Sequence, residues 1–137
     1  MVTKRFAIIA GLFYLLIGIA GFFPAMLTAP DTAHHLNLQV LQGRLFGLFP
    51  VNVAHTLVHL AVGAWGLWAA RSSDHAVAVY ARSLAILFAV LAVMGLFPGL
   101  DNVFGLLPLH AHDIWLHAIT AGIAAYAGWY AAQDMRA

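Results

Sequence analysis

Cysteine and glutamate are both absent from this 137-residue sequence, and lysine occurs only at Lys4. The lack of cysteine excludes disulfides, thiolate metal sites, iron–sulfur clusters and covalently attached c-type haem. Charge is scarce too, since Asp, Lys and Arg together make up 8% of the residues. With a net charge of +1 the chain has no basic footprint for nucleic acid, so no nucleic-acid partner is expected.

Apolar residues take the place of the missing charges. They account for 64% of the chain, whereas soluble domains average about 45–50% apolar and about 25% charged residues. Such a chain could not cover its surface in water, and its bias is the opposite of that in disordered segments. The composition therefore predicts an integral membrane protein whose main partner is the lipid bilayer.

Four long stretches carry almost no charge, and each reaches the roughly 20 residues that a helix needs to cross a hydrocarbon core. Their continuous runs of Ala, Leu and Gly favour helices over the alternating strands of a barrel. The first stretch is longer than the apolar region of a signal peptide, so we interpret it as a retained helix. We predict a single transmembrane domain, residues 1–137, with helices over about 5–26, 50–70, 76–97 and 108–133.

Basic residues are distributed unevenly around these spans. Arg44 lies on one predicted side, and the other basic residues lie on the opposite side: Lys4, Arg5, Arg71, Arg82 and Arg136. The positive-inside rule then places both termini in the cytoplasm. The two longer connections, residues 24–49 and 98–108, face outward.

The first outer connection has a helical pattern of its own. Leu38, Leu41, Leu45 and Phe49 are three or four residues apart, with polar residues between them. This spacing predicts a short amphipathic outer helix between helices 1 and 2, lying in the membrane interface. An ordered loop is the alternative.

An internal repeat relates the two halves of the chain. Residues 47–59 align without a gap to residues 105–117 and share the pattern G-L-F/L-P-x-N/H-x-x-H/D-x-x-x-H. Each half contains two helices, so the halves have the same orientation and are related by an axis along the membrane normal. The prediction is an all-α four-helix bundle built from two parallel two-helix repeats. Pro50 and Pro108 are expected in the first turns of helices 2 and 4.

Four ionisable residues fall inside the predicted spans at repeat-equivalent positions. His55 and His59 share a face of helix 2, and Asp113 and His117 share a face of helix 4, because each pair is four residues apart. Ionisable groups inside a membrane are costly and mark functional sites. Three imidazoles and one carboxylate suit a transition metal, with Zn or Cu favoured over Fe. We therefore predict a metal site between helices 2 and 4 near the outer face.

Other polar residues lie close to this predicted site. Asn52, His110 and His112 are about one turn above it, where they could orient the ligands, line an entry path or add ligands. His34 and His35 of the outer connection could guide a metal inward, although loop histidines are usually solvated. Catalysis is left open; an open metal position that activates water or oxygen would be the simplest chemistry.

Three other interpretations of the polar residues remain. They could form a structural cluster in which Asp113 bonds a histidine across the bundle. His59 and His117 could instead be the axial ligands of a b-type haem, with room for the macrocycle made by small residues at positions 63, 66, 121 and 122. A proton relay or a quinone site is the third.

Small residues recur along the first and last helices and let membrane helices approach closely. Gly11, Gly18 and Gly21 could pack within the bundle or between subunits. A homo-oligomer formed through such faces is therefore an expectation.

One longer motif resembles a known family. The run F-P-V-N-x-x-H-x-x-x-H-L-x-x-G at residues 49–63, with D-x-x-x-H at residues 113–117, is similar to the bacterial membrane family called domain of unknown function 4383. The resemblance covers nearly the whole chain and implies four helices in a prokaryotic plasma membrane. The four candidate ligands fall on the family's motif positions, but the family brings no established activity.

Overall fold

The structure is a computed structural model that describes residues 2–30 and 36–133. The helices are α1, Val2–Ala20; α2, Val53–Ser72; α3, Asp74–Met94; and α4, His112–Ala125, which continues into a π-helical turn at Tyr126–Tyr130. A 3₁₀ turn at Pro24–Met26 precedes three short strands: β1, Leu27–Thr28; β2, Gly43–Leu45; and β3, Phe49–Val51. The predicted four-helix, mainly all-α fold is confirmed.

The distribution of apolar residues indicates a membrane location. Helices α1, α2 and α3 are each long and apolar enough to cross a membrane. Their outer faces expose large aliphatic side chains, such as Ile9 (67% exposed), Leu16 (65%) and Ile86 (59%). The interior, in contrast, holds histidine, aspartate, asparagine and threonine side chains. An apolar exterior around polar interior groups suits lipid as the solvent and not water.

The helices pack as two hairpins, α1 with α2 and α3 with α4, in agreement with the predicted two-helix repeats. Close contact between α1 and α2 depends on glycine. A Cβ atom added to Gly63 would lie 2.5 Å from the backbone nitrogen of Leu15 and 2.8 Å from the carbonyl oxygen of Gly11. These glycines are therefore used inside one chain, where they let the two backbones approach.

The predicted amphipathic helix over residues 38–49 is wrong. The strands form an antiparallel sheet in the order β1-β2-β3, and Leu45 of β2 lies opposite Phe49 of β3. Leu45 and Phe49 are thus four residues apart because they are paired across a tight hairpin, and not because they lie on one turn of a helix. The hairpin turns at Phe46 and Gly47, which both have positive φ angles, 54° and 74°.

The helix boundaries also differ from the predicted ones. Pro50 lies in β3, and α2 begins three residues later because Asn52 caps it: the Asn52 Oδ1 accepts a hydrogen bond from the His55 backbone N–H at 2.9 Å. Helix α4 begins at His112 and not at Pro108, after Ala111 with a φ of 57°. Helix α1 ends at Ala20, before the 3₁₀ turn.

The backbone repeats one feature of the sequence repeat. Phe104 and Gly105 have φ angles of 57° and 84°, nearly the same as their equivalents Phe46 and Gly47. The surrounding connections nevertheless differ, because residues 95–111, all described, form turns where the first half forms a sheet. The repeat is therefore preserved in the helices and at this turn, but not in the rest of the outer connections.

Helices α1 and α3 are both hydrogen-bonded to the π-helical turn after α4, at the end of the molecule opposite the sheet. The Thr3 hydroxyl donates to the carbonyl oxygen of Ala127 at 2.9 Å, and Arg82 Nε donates to the carbonyl oxygen of Gly128 at 2.7 Å. Both acceptors belong to the π-helical turn after α4. These bonds give partners to carbonyl groups in a distorted part of the helix, where hydrocarbon would offer none.

Candidate metal centre

Three histidines converge near the sheet end of the helices. His55 and His59 lie on the first two turns of α2, and His117 lies on the second turn of α4. All three are buried, with exposed fractions of 3%, 3% and 1%. The spacing of four residues places both α2 rings on one face, and their ring centroids are 4.4 Å apart.

The three rings have a geometry that could hold a metal ion. One nitrogen from each of His55, His59 and His117 lies within 4.8 Å of the other two. Two nitrogens on one tetrahedral zinc ion are about 3.4 Å apart, since each Zn–N bond is about 2.0–2.1 Å. Small side-chain rotations would therefore bring the three nitrogens to bonding distance of a common ion.

Asp113 adds a carboxylate next to the three histidines. It is fully buried, and its Oδ2 lies 3.6 Å from His55 Nδ1. That distance is too long for a hydrogen bond, but it is close to the separation of two ligand atoms on one zinc ion. Asp113 is not among the three residues whose ligand atoms all lie within 4.8 Å.

Buried polar atoms at this site lack hydrogen-bond partners. Six of them belong to these four residues: His55 Nδ1, His59 Nδ1 and Nε2, His117 Nδ1, and both carboxylate oxygens of Asp113. The large majority of buried polar side-chain atoms in native structures have a partner.

Two aromatic rings, which the sequence pattern does not mark as site residues, contact the histidines. The Tyr14 ring centroid lies 5.4 Å from that of His59, and the Phe88 ring stacks on His117 at 5.0 Å. The Tyr14 hydroxyl is hydrogen-bonded to Thr120 Oγ1 at 2.9 Å. Nothing in their sequence spacing distinguishes Tyr14 and Phe88 from the other aromatic residues of α1 and α3.

With this geometry defined, comparison with protein-family models matches residues 4–130 to a family described as Domain of unknown function (DUF4383). The chain belongs to this family. The match includes the four candidate ligands and confirms the resemblance noted from the motif at residues 49–63. No curated protein and no solved structure matches the chain.

In this DUF4383 protein, the side chain of Asn52 is hydrogen-bonded to backbone groups of three different segments. Besides capping α2, its Nδ2 donates to the carbonyl oxygens of Leu38 at 2.9 Å and Leu106 at 2.7 Å. Asn52 thereby joins the two outer connections above the histidines. A single side chain thus sets both the start of α2 and the position of His55.

The remaining predicted site residues differ in their surroundings. His110 is buried (8% exposed) in the segment before α4. His112 is exposed at the first residue of α4, with its ring edge-on to Phe49 at 6.4 Å. His34 and His35 lie outside the described residues.

Two of the three glycines expected to make room for a haem, Gly63 and Gly66, pack elsewhere in this DUF4383 protein, whereas a Cβ atom on Gly122 would meet nothing within 4 Å. A Cβ atom on Gly63 would meet α1, and one on Gly66 would meet the Tyr80 side chain and the Ala7 carbonyl oxygen. The Tyr14 ring contacts His59, and the rings of Phe88 and His55 contact His117.

Proposed function

We propose that this protein is an integral membrane protein that binds one transition-metal ion between α2 and α4. His55, His59 and His117 are the ligands, and Asp113 completes a tetrahedral set. Nitrogen and carboxylate ligands of this kind suit Zn²⁺, and imidazole also suits copper. The observation that carries the proposal is the group of six buried polar atoms of these four residues that have no hydrogen-bond partner.

A purely structural polar cluster is a weaker explanation of the same residues. Such a cluster would be stabilised by hydrogen bonds between its members, and an unsatisfied buried polar group costs about 1–3 kcal/mol. The closest polar approach from Asp113, 3.6 Å to His55, is not a hydrogen bond. A cation that binds several of these atoms at once would remove the cost.

A bare ion also fits better than a b-type haem. A haem held by His59 and His117 would need a flat open volume beside both rings. Phe88 stacks on the His117 ring, and the His55 ring lies 4.4 Å from that of His59. A haem would also leave His55 and Asp113 without a role.

The same proposal includes a membrane topology. Helix α4 and its π-helical turn together equal α1 in length, so they would form a fourth span. Lys4 and Arg71 line one groove at the end opposite the histidines, which by the positive-inside rule would face the cytoplasm. The metal site would then lie in the outer half of a prokaryotic plasma membrane.

The role of Asp113 decides between a structural and a catalytic ion. An ion held by all four side chains has no open position. If Asp113 gives way to water, the ion could lower the pKa of that water and act in a metal-dependent enzyme. Both cases share the three histidine ligands.

Elemental analysis combined with an optical spectrum of the purified protein tests the proposal. We expect about one metal ion per chain, as for a mononuclear site, and no Soret band. His59→Ala and His117→Ala should each lose the ion. His75→Ala is the matched control, because His75 is exposed at the start of α3. A Soret band, or no bound metal after incubation with zinc or copper, would overturn the proposal.

A further inference from the structure

An apolar pocket lies beside His59, one of the three clustered histidines. Its volume is about 220 Å³, and its lining includes Ile17 of α1, Phe46, Phe49 and Val51 of the sheet hairpin, Leu116 of α4, and His59 of α2. His59 is the polar member of this lining. The pocket therefore leads through apolar side chains to a candidate metal ligand.

The pocket lies between α1 and α4, which are hydrogen-bonded to each other along only part of their length. The Thr3–Ala127 hydrogen bond joins the helices at one end, and the Tyr14–Thr120 hydrogen bond joins them midway. Overall, α1 packs mainly on α2, and α4 packs mainly on α3. Residues of the sheet hairpin line one side of the pocket.

The mouth of the pocket faces the surroundings of the helices. Phe13 and Phe46, both in its lining, are 41% and 57% exposed. In the proposed topology these side chains contact the hydrocarbon of the outer leaflet. The molecules present there in quantity are the acyl chains of membrane lipids.

His59 is what distinguishes this pocket from a simple apolar crevice. The side chain is 3% exposed, it lines the pocket, and both of its ring nitrogens lack a hydrogen-bond partner. The accessible surface of the pocket is wholly apolar, so His59 borders it through carbon atoms and its ring nitrogens are buried behind them. Such a lining suits hydrocarbon.

We propose that this pocket admits an acyl chain of a membrane lipid and places carbon atoms of that chain next to the metal site. The volume is below the roughly 300–1,000 Å³ of pockets for drug-sized ligands, so part of a chain enters while the headgroup stays outside. The proximity to a metal ion rests on the proposed function. Entry of the chain into the pocket does not.

Photo-crosslinking in proteoliposomes tests the proposal. The protein is reconstituted in phosphatidylethanolamine and phosphatidylglycerol with a phospholipid that carries a diazirine in its acyl chain, irradiated, and mapped by peptide mass spectrometry. We expect labelling of Val51, a pocket-lining residue that is only 1% exposed, and of Leu116. The lipid-facing residues Val90 and Val93 of α3, 50% and 55% exposed, are the internal reference for ordinary lipid contact.

Two tryptophan variants on α4 form a matched pair. Leu116→Trp fills the pocket and should lose the labelling of Val51, whereas Ile119→Trp, at a 60% exposed position of the same helix, should keep it. Ile17→Phe fills the pocket from α1 and provides a second variant if Leu116→Trp does not fold. Labelling of Val51 that is equal in Leu116→Trp, Ile17→Phe and the unmodified protein would overturn the proposal.

Metal content measured in the same samples keeps the two proposals separate. Pocket labelling without bound metal supports acyl-chain entry and contradicts the metal site. Bound metal without pocket labelling supports the metal site and contradicts acyl-chain entry. Labelling that reaches His59 itself in the metal-bound protein supports both.

Discussion

Asp113 and His55 occupy equivalent positions in the two halves of the repeat, and they face each other with Asp113 Oδ2 3.6 Å from His55 Nδ1. A histidine at both positions would give a site with four neutral ligands, and an aspartate at both would bring two carboxylates together, which disfavours ionisation of both. The present combination gives three imidazoles and one carboxylate around a divalent cation.

Asp113→Asn tests whether the carboxylate holds the metal. The substitution keeps the size of the side chain but removes its negative charge, so metal affinity should fall by at least about 10–100-fold, the usual effect of losing a group that supports metal ligands. Metal content after dialysis against a chelator measures the loss, and circular dichroism checks that the helices persist. Asp74→Asn, at an exposed position in the first turn of α3, is the control. Unchanged metal content in Asp113→Asn would remove Asp113 from the ligand set.

The Tyr14–Thr120 hydrogen bond between α1 and α4 should make a measurable contribution to stability. Tyr14→Phe and Thr120→Val each remove one hydroxyl and preserve most of the side-chain shape. A double-mutant cycle should yield a coupling of about 0.6 kcal/mol, the average for hydrogen bonds between membrane helices. Unfolding in detergent with increasing denaturant gives the four free energies. A coupling of zero would mean that the bond does not join the helices.

Asn52 is expected to be more important for stability than its position in a connection suggests. Asn52→Ala removes the cap of α2 and both bonds to the outer connections, and loss of a cap alone costs about 0.5–2 kcal/mol. Asn52→Ser keeps a capping oxygen and loses the two donated bonds, so its free energy of unfolding should fall between those of the wild type and Asn52→Ala. Thermal unfolding followed by circular dichroism ranks the three proteins. Equal stability of Asn52→Ala and the wild type would contradict this role.

Two glycine substitutions should have opposite effects. Gly63→Ala places a Cβ atom 2.5 Å from the Leu15 backbone nitrogen, and overpacking of this kind costs about 1–3 kcal/mol. Gly122→Ala on α4 meets nothing within 4 Å, so it should be neutral or stabilise its helix by up to about 1 kcal/mol. Denaturant unfolding of both variants measures the difference. A stable Gly63→Ala would show that α1 and α2 do not approach each other this closely.

The candidate site was largely predictable because its signal is local. His55 and His59 are four residues apart, as are Asp113 and His117, and the repeat relates the two pairs. Helical geometry alone therefore brings each pair onto one face. Tyr14 and Phe88 come from the other two helices, so only the packing of α1 and α3 brings their rings against the histidines.

The outer hairpin was mispredicted for a physical reason. A spacing of four residues fits one turn of a helix and also two residues opposite each other across a tight turn. Leu45 and Phe49 are such a pair. The turn between them requires positive φ at Phe46 as well as Gly47. Phenylalanine rarely adopts positive φ, so the sequence does not indicate a turn at this position.

The scarcity of charge and the long apolar runs by themselves determined that the chain is helical and built for lipid, because hydrocarbon requires each span to satisfy its own backbone. The repeat, read from the sequence, determined which polar residues are equivalent. Only the tertiary structure decided that those residues meet in one cluster, that six of their polar atoms lack hydrogen-bond partners, and that an apolar pocket reaches His59. These features depend on distances between helices, and such distances are set by side-chain packing across the whole molecule.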